Sequence, residues 1–152
     1  MANLVSIIIP VFNEVDAIEK LVENTQNLRY LGLNFEYEII IVDDGSTDGT
    51  GATLKEIQLT NQNLHVVSLA RNYGQSTALQ AGFDHCAGDV LITMDGDLQN
   101  DPADIPKIID VLKNNNEIDL VAGWRKDRQD SILNRKLPSM FANYLISYTT
   151  GI

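Results

Sequence analysis

The sequence predicts an α/β domain built on a mostly parallel sheet with helices on both faces. Three observations carry that expectation. Apolar, β-branched runs recur along the chain and alternate with amphipathic stretches of helical length. The runs are continuous rather than alternating, as in strands covered on both sides. Each run also ends in polar residues, at the sheet edge where open parallel sheets bind ligands.

The elements follow in order. "VSIIIPVF" reads as a buried strand, and "NEVDAIEKLVENTQNL" places Val15, Ile18, Leu21, Val22 and Leu28 on one helical face. "YEIIIVDDG" is a second buried strand. "STDGTGATLKEIQLT" opens with capping residues and turns Leu54, Ile57 and Leu59 inward. "LHVVSLA" gives a third strand. In "GQSTALQAGFDHC", Ala78, Leu79, Ala81 and Gly82 suit a helix packed closely on the sheet. "DVLITMD", "PADIPKIIDVLKNN" and "IDLVAGW" complete the series as strand, helix and fifth strand.

At 152 residues the chain suffices for one domain, which buries ~70% of its unfolded surface. The formal net charge of -10 argues against a general nucleic-acid binder. The deficit is uneven: from Arg125 onward there are five Lys/Arg and only two acids, so the preceding body is the more acidic. An acidic body with a basic tail suggests a cation in the former and an anionic partner at the latter, with solvated surface charge as the plain alternative. We therefore divide the chain into a body over residues 1–125 and a basic, amphipathic segment over 126–152. Cys86 is the only cysteine, so an internal disulfide is impossible and a reducing compartment fits. The N-terminus lacks a signal-peptide pattern, and no apolar run reaches the ~20 residues that span a bilayer.

The polar residues after the strands define a common rim: Asn13 and Glu14, Asp43 and Asp44, Arg71 and Asn72, Asp95 and Asp97, then Arg125. A dinucleotide-binding turn would need G-x-G-x-x-G where the chain has "PVFNEVD", and no P-loop motif is present. A phosphoacceptor domain would need its acid pair after the first strand. In "MDGDL", alternate residues point the same way, so Asp95 and Asp97 both face the rim while Gly96 admits a ligand close to the backbone. Two hard oxygen ligands leave sites open on Mg²⁺ or Mn²⁺ for a diphosphate. A turn or cap role is the alternative, and we assign it to Asp101, Asp104 and Asp48.

Together "SIIIPVFNE", "IIIVDDGSTDGT", "SLARNYGQSTALQAG" and "ITMDGDLQNDP" resemble family 2 glycosyltransferases of the A-type glycosyltransferase fold, over nearly the whole chain. The branch most similar is that of polyprenyl-phosphate sugar transferases. The resemblance implies that Pro10, Phe12 and Glu14 line the base and ribose pocket, though Glu14 also fits as a helix-start acid. Phe12 stands where the family more often has Tyr. Val42, Asp43 and Asp44 would read the base edge and ribose. Arg71 and the turn ending at Gly74 would lie along the sugar-diphosphate, with Gln75 where a basic residue would be expected. Asp95 and Asp97, with Gly96 between them and the Gln99 amide oxygen beside them, would hold Mg²⁺ or Mn²⁺. Arg125, Arg135 and Ser139 would take the acceptor phosphate, so Asp95, Asp97, Arg125 and Arg135 form the implied catalytic set.

The implied reaction moves a sugar from a nucleotide-diphosphate sugar, with uridine diphosphate favoured, to a polyprenyl phosphate at the cytoplasmic membrane face, with inversion. A phosphate monoester is largely dianionic near neutral pH, its second pKa being about 6, so positioning outweighs a strong base. Family members continue beyond the point where "YTTGI" ends. From Ile132 to Tyr148 an apolar stripe behind basic residues suits a helix on a membrane surface, or equally one packed on the domain itself. A homo-oligomer stays open. A donor-binding module that turns over poorly without a further C-terminal part is the second function class.

Overall fold

A computed structural model describes residues 4–31, 33, 35–115 and 117–123. Its elements run β1 (Leu4–Val11), α1 (Ile18–Gln26), a 3₁₀ turn (Asn27–Leu31), β2 (Glu36–Asp43), α2 (Thr50–Gln58), β3 (Leu64–Ser68), α3 (Gln75–His85), β4 (Val90–Thr93), a 3₁₀ turn (Pro102–Asp104) and α4 (Ile105–Lys113). All strands are parallel and ordered β3-β2-β1-β4.

Side-chain alternation divides the core in two. Val5, Ile7, Ile9 and Val11 of β1, with Ile39 and Ile41 of β2, meet Ile18, Leu21, Leu54, Ile105 and Ile109 from α1, α2 and α4. Ile8, Ile40 and Val42 face the other way, onto Ala78 of α3. Helices thus cover both faces, as the continuous apolar runs require. Small residues let α3 lie close: a Cβ on Gly82 would come within 2.3 Å of Ile8 Cγ2 and 3.3 Å of Val42 Cγ2. Gly82→Ala is therefore expected to destabilise the fold by about 1–3 kcal/mol through overpacking, measurable by chemical denaturation; an unchanged midpoint would contradict this packing.

Two expectations about elements need correction. Leu59 is 87% exposed, not inward. It lies five residues from the buried Leu54, which at 3.6 residues per turn carries it off the core-facing stripe. The fifth strand is also not seen among the described residues: 118–123 form no strand, and Leu120 is 84% exposed. Strand propensity reflects fit on a paired, half-buried surface, and this run has no ladder partner among the described residues.

The topology sets the rim. The chain steps outward from β1 through β2 to β3, then returns so that β4 lies on the opposite side of β1. The order reverses between β1 and β4, where such sheets open a crevice at their carboxyl ends. Pro10 lies at this switch point. Ile8 O accepts the Met94 N–H from the β4 side, and Val11 O accepts the Asp44 N–H from the β2 side. Position 10 therefore turns toward β4, where proline has no N–H to give, and pairing with β4 stops at Ile8↔Thr93.

Candidate functional site

The β1–α1 and β2–α2 loops are laced together by side chains of "GSTDGT". Asn13 sits in the left-handed region at φ 56°, a conformation Asn tolerates. Its N–H donates to Ser46 Oγ at 2.9 Å, and its Oδ1 accepts the Thr47 N–H at 2.8 Å. The Glu14 N–H donates to Thr50 Oγ1 at 2.9 Å and the Val15 N–H to Asp48 Oδ2 at 3.1 Å. Asp48 Oδ1 in turn accepts the Thr50 hydroxyl at 2.6 Å and the Thr50 N–H at 3.0 Å. The hydroxyl first, then the amide, holds the Asp48 carboxyl below its ordinary value of 3.8. Asp48 is a loop-fastening acid, as its position before α2 implies. On this platform Phe12 stands 41% exposed at the tip of β1, and Glu14 is half-buried.

The acids after β2 are buried, and each is engaged within the fold. Asp43 Oδ1 accepts the Ser46 N–H at 2.9 Å. Gly51 leaves room for its other oxygen, since a Cβ there would lie 2.4 Å from Asp43 Oδ2. Asp44 Oδ1 accepts the Tyr73 N–H and Oδ2 the Gly74 N–H, both at 2.8 Å. Gly45, at φ 71°, packs against the backbone of the same turn, where a Cβ would come within 2.3 Å of the Arg71 carbonyl carbon. The Asp44 carboxylate thus fastens the 71–74 turn to the end of β2. Val42 precedes this acid pair on β2. Fully buried beneath α3, its side chain supports the rim from below.

That fastening carries Arg71 to the rim, its guanidinium 4.9 Å from the Tyr73 ring centroid, and starts α3 at Gln75 after Gly74 at φ 93°. Gln75 Nε2 reaches across to Asp95 Oδ1 at 3.1 Å. The alternation of β4 continues past Thr93, so Asp95 and Asp97 are exposed on one side and Met94 and Gly96 are buried on the other. Gly96 thus turns its Cα toward the core. Its missing Cβ spares a 2.7 Å contact with Val11 Cγ1 and a 3.1 Å contact with Pro10 O. Asp97 Oδ1 accepts the Gln99 N–H at 3.0 Å in a tight turn over Leu98, whose φ is 61°. Asp101 Oδ1 accepts the Ala103 N–H, a capping role, while Asp104 pairs with Lys107 at 2.7 Å.

The donor set suits a shared ion. Among the described residues no group of three or more His, Cys, Asp or Glu side chains forms a metal cage. Asp95 and Asp97 instead offer two adjacent hard oxygen donors, which fit a divalent ion completing its shell with phosphate and water. Arg125, Arg135 and Ser139 lie outside the described residues. A separate cavity of about 470 Å³ is lined by residues including Asn24, Asn27, Leu98 and Gln99. Phe12, Asp43, Arg71 and Asp95 are not in its wall, so the convergence of loops at the strand ends marks the site better than concavity does. Sequence reading gave Asp48 a cap role but missed Ser46, Thr50 and the lacing of all three to the β1–α1 loop. The signal was there: Ser, Thr and Asp clustered after a strand bond neighbouring backbone readily.

Comparison with known proteins identifies the family and the fold. The model of the family "Glycosyl transferase family 2" matches residues 6–151. A dodecaprenyl-phosphate galacturonate synthase of Rhizobium johnstonii is 44% identical over 97% of this chain, which spans 43% of that protein. Glucosyl-3-phosphoglycerate synthase of Mycobacterium tuberculosis, solved with Mn²⁺, uridine diphosphate and glucosyl-3-phosphoglycerate, shares the fold. Its TM-score is 0.65 at 22% identity, covering 96% of this chain and 50% of that one. The mannosyltransferase PcManGT of Pyrobaculum calidifontis, solved with GDP-Man and Mn²⁺, gives 0.55 at 26% identity over 63% of this chain and 28% of its own. Topology, rim and motifs converge with these likenesses on one assignment: the fold is the A-type glycosyltransferase fold, and the chain belongs to glycosyl transferase family 2.

Proposed function

We propose that this protein is an inverting, divalent-metal-dependent glycosyltransferase that moves a sugar from a uridine diphosphate sugar to a polyprenyl phosphate. The observation that carries this reading is the 44% identity, over nearly the whole chain, to a dodecaprenyl-phosphate galacturonate synthase. The rim supplies chemistry that suits such a donor. Phe12 offers an exposed stacking face, and Asp43, with Pro10 and Glu14 nearby, offers a polar edge for the base and ribose. Arg71 and Gly74 follow the diphosphate. Asp95 and Asp97, assisted by Gln99, hold Mg²⁺ or Mn²⁺, which when bound stabilises charge on the departing nucleoside diphosphate.

The acceptor is assigned to the basic segment over residues 126–152 together with Arg125. Arg135 and Ser139 are four apart, on one face if helical, and a guanidinium grips a phosphate by two bonds. A basic stretch leading into apolar residues suits a lipid phosphate at the cytoplasmic membrane face. Arg135→Ala is expected to lower transfer to polyprenyl phosphate about tenfold, with donor affinity unchanged. Arg135→Lys recovers only part, because an ammonium cannot form the forked contact. Weakened donor binding with intact transfer at saturating donor would move Arg135 to the nucleotide site.

A further inference from the structure

We propose that Gln75 is a positioning residue that sets the divalent-metal affinity of the Asp95–Asp97 pair, by orienting Asp95 without neutralising it. The inference rests on the metal reading above and deepens it. Both exposed acids are held in the same manner, each by one neutral N–H. Asp95 Oδ1 accepts from the Gln75 side-chain amide at 3.1 Å, and Asp97 Oδ1 accepts from the Gln99 backbone at 3.0 Å. Among the described residues neither acid forms an ion pair.

The choice of donor matters because a carboxylate that meets a divalent ion must keep its charge. A neutral amide removes rotational freedom from Asp95 while leaving its negative charge whole. A lysine at position 75, reaching as far, would pair with Asp95 and repel the ion in the same place. Gln75 can act with this directness because it is the first residue of α3. The turn before it is pinned by Asp44, so the amide is delivered from a fixed backbone.

Three variants of the complete protein separate the possibilities, with Mn²⁺ alone as probe and the free-ion electron paramagnetic resonance signal as readout. Gln75→Met removes the hydrogen bond at similar length and is expected to weaken Mn²⁺ binding about two- to threefold. Gln75→Lys is expected to weaken it about tenfold or more at low ionic strength, the scale of a unit charge a few ångströms from a divalent ion in water. The extra loss should shrink as salt is added. Asp95→Asn reports on the metal reading itself. Thermal midpoints near wild type confirm that the exposed position tolerates each change. If Asp95→Asn weakens binding while both Gln75 variants match wild type, the inference falls and the metal site stands. Equal losses in Gln75→Met and Gln75→Lys would also overturn it, because packing alone does not distinguish charge. An unchanged affinity in Asp95→Asn would sink the metal reading and this inference together.

Discussion

Asp95→Asn is expected to lower sugar transfer at limiting Mn²⁺ by about 10²–10³-fold, comparable to removing a group that stabilises transition-state charge. The substitution keeps shape and an acceptor oxygen, so the Gln75 contact survives while the charge is lost. Asp97→Asn should behave alike, since its Oδ1 can still accept the Gln99 N–H that shapes the turn. Asp97→Ala would lose the turn as well and is the poorer test. Because a hard divalent ion responds to ligand charge, raising Mn²⁺ should restore part of the rate in both Asn variants. Measuring kcat/KM across a Mn²⁺ series decides the matter. Variants indistinguishable from wild type at every metal concentration, and in EDTA, would leave the acid pair without a catalytic part.

Asp44→Ala is expected to cost roughly 3 kcal/mol of stability, the upper range for hydrogen bonds to a charged group. Two backbone donors, the Tyr73 and Gly74 N–H groups, lose their acceptor together. Asp44 is 4% exposed, so water cannot replace it without opening the loop. Asp44→Asn should help little. An amide offers one acceptor oxygen, and its NH₂ would confront the second N–H. The functional effect follows from the same bonds: the freed turn carries Arg71 and the start of α3, so donor affinity should fall even without metal. Denaturant unfolding gives the stability, and donor titration in EDTA gives the affinity. Wild-type stability in Asp44→Ala would show that Gly45 and the strand end position the turn unaided.

Much of the fold was legible because burial on both faces writes itself into composition. Ile7–Ile9 and Ile39–Ile41 could belong only to covered strands, and the small face of α3 announced close packing. The acid pair was legible through simple alternation, which Asp95 and Asp97 obey beyond the end of β4. The fifth strand was not, because "IDLVAGW" has the right residues, and propensity carries no information about a missing ladder partner. The structural roles of Asp44, Val42 and Gly96 were not legible for a related reason. A polar or small residue at a strand end can serve ligand or fold, and only three-dimensional bonding distinguishes them. Asp44 looked like a recognition residue in sequence but spends both oxygens on a turn thirty residues away. Pro10 was read as pocket lining, while its missing N–H also coincides with the end of the β4 ladder.

The most direct test is calorimetric titration of uridine diphosphate into the wild-type protein, with Mn²⁺ and with EDTA. A donor site in which Asp95 and Asp97 share an ion with the diphosphate is expected to bind at least about tenfold more tightly with Mn²⁺, given the charge the ion brings between carboxylates and phosphates. Identical affinity in Mn²⁺ and in EDTA, or no binding in either, would contradict a metal-bridged nucleotide site at the carboxyl ends of β1 and β4.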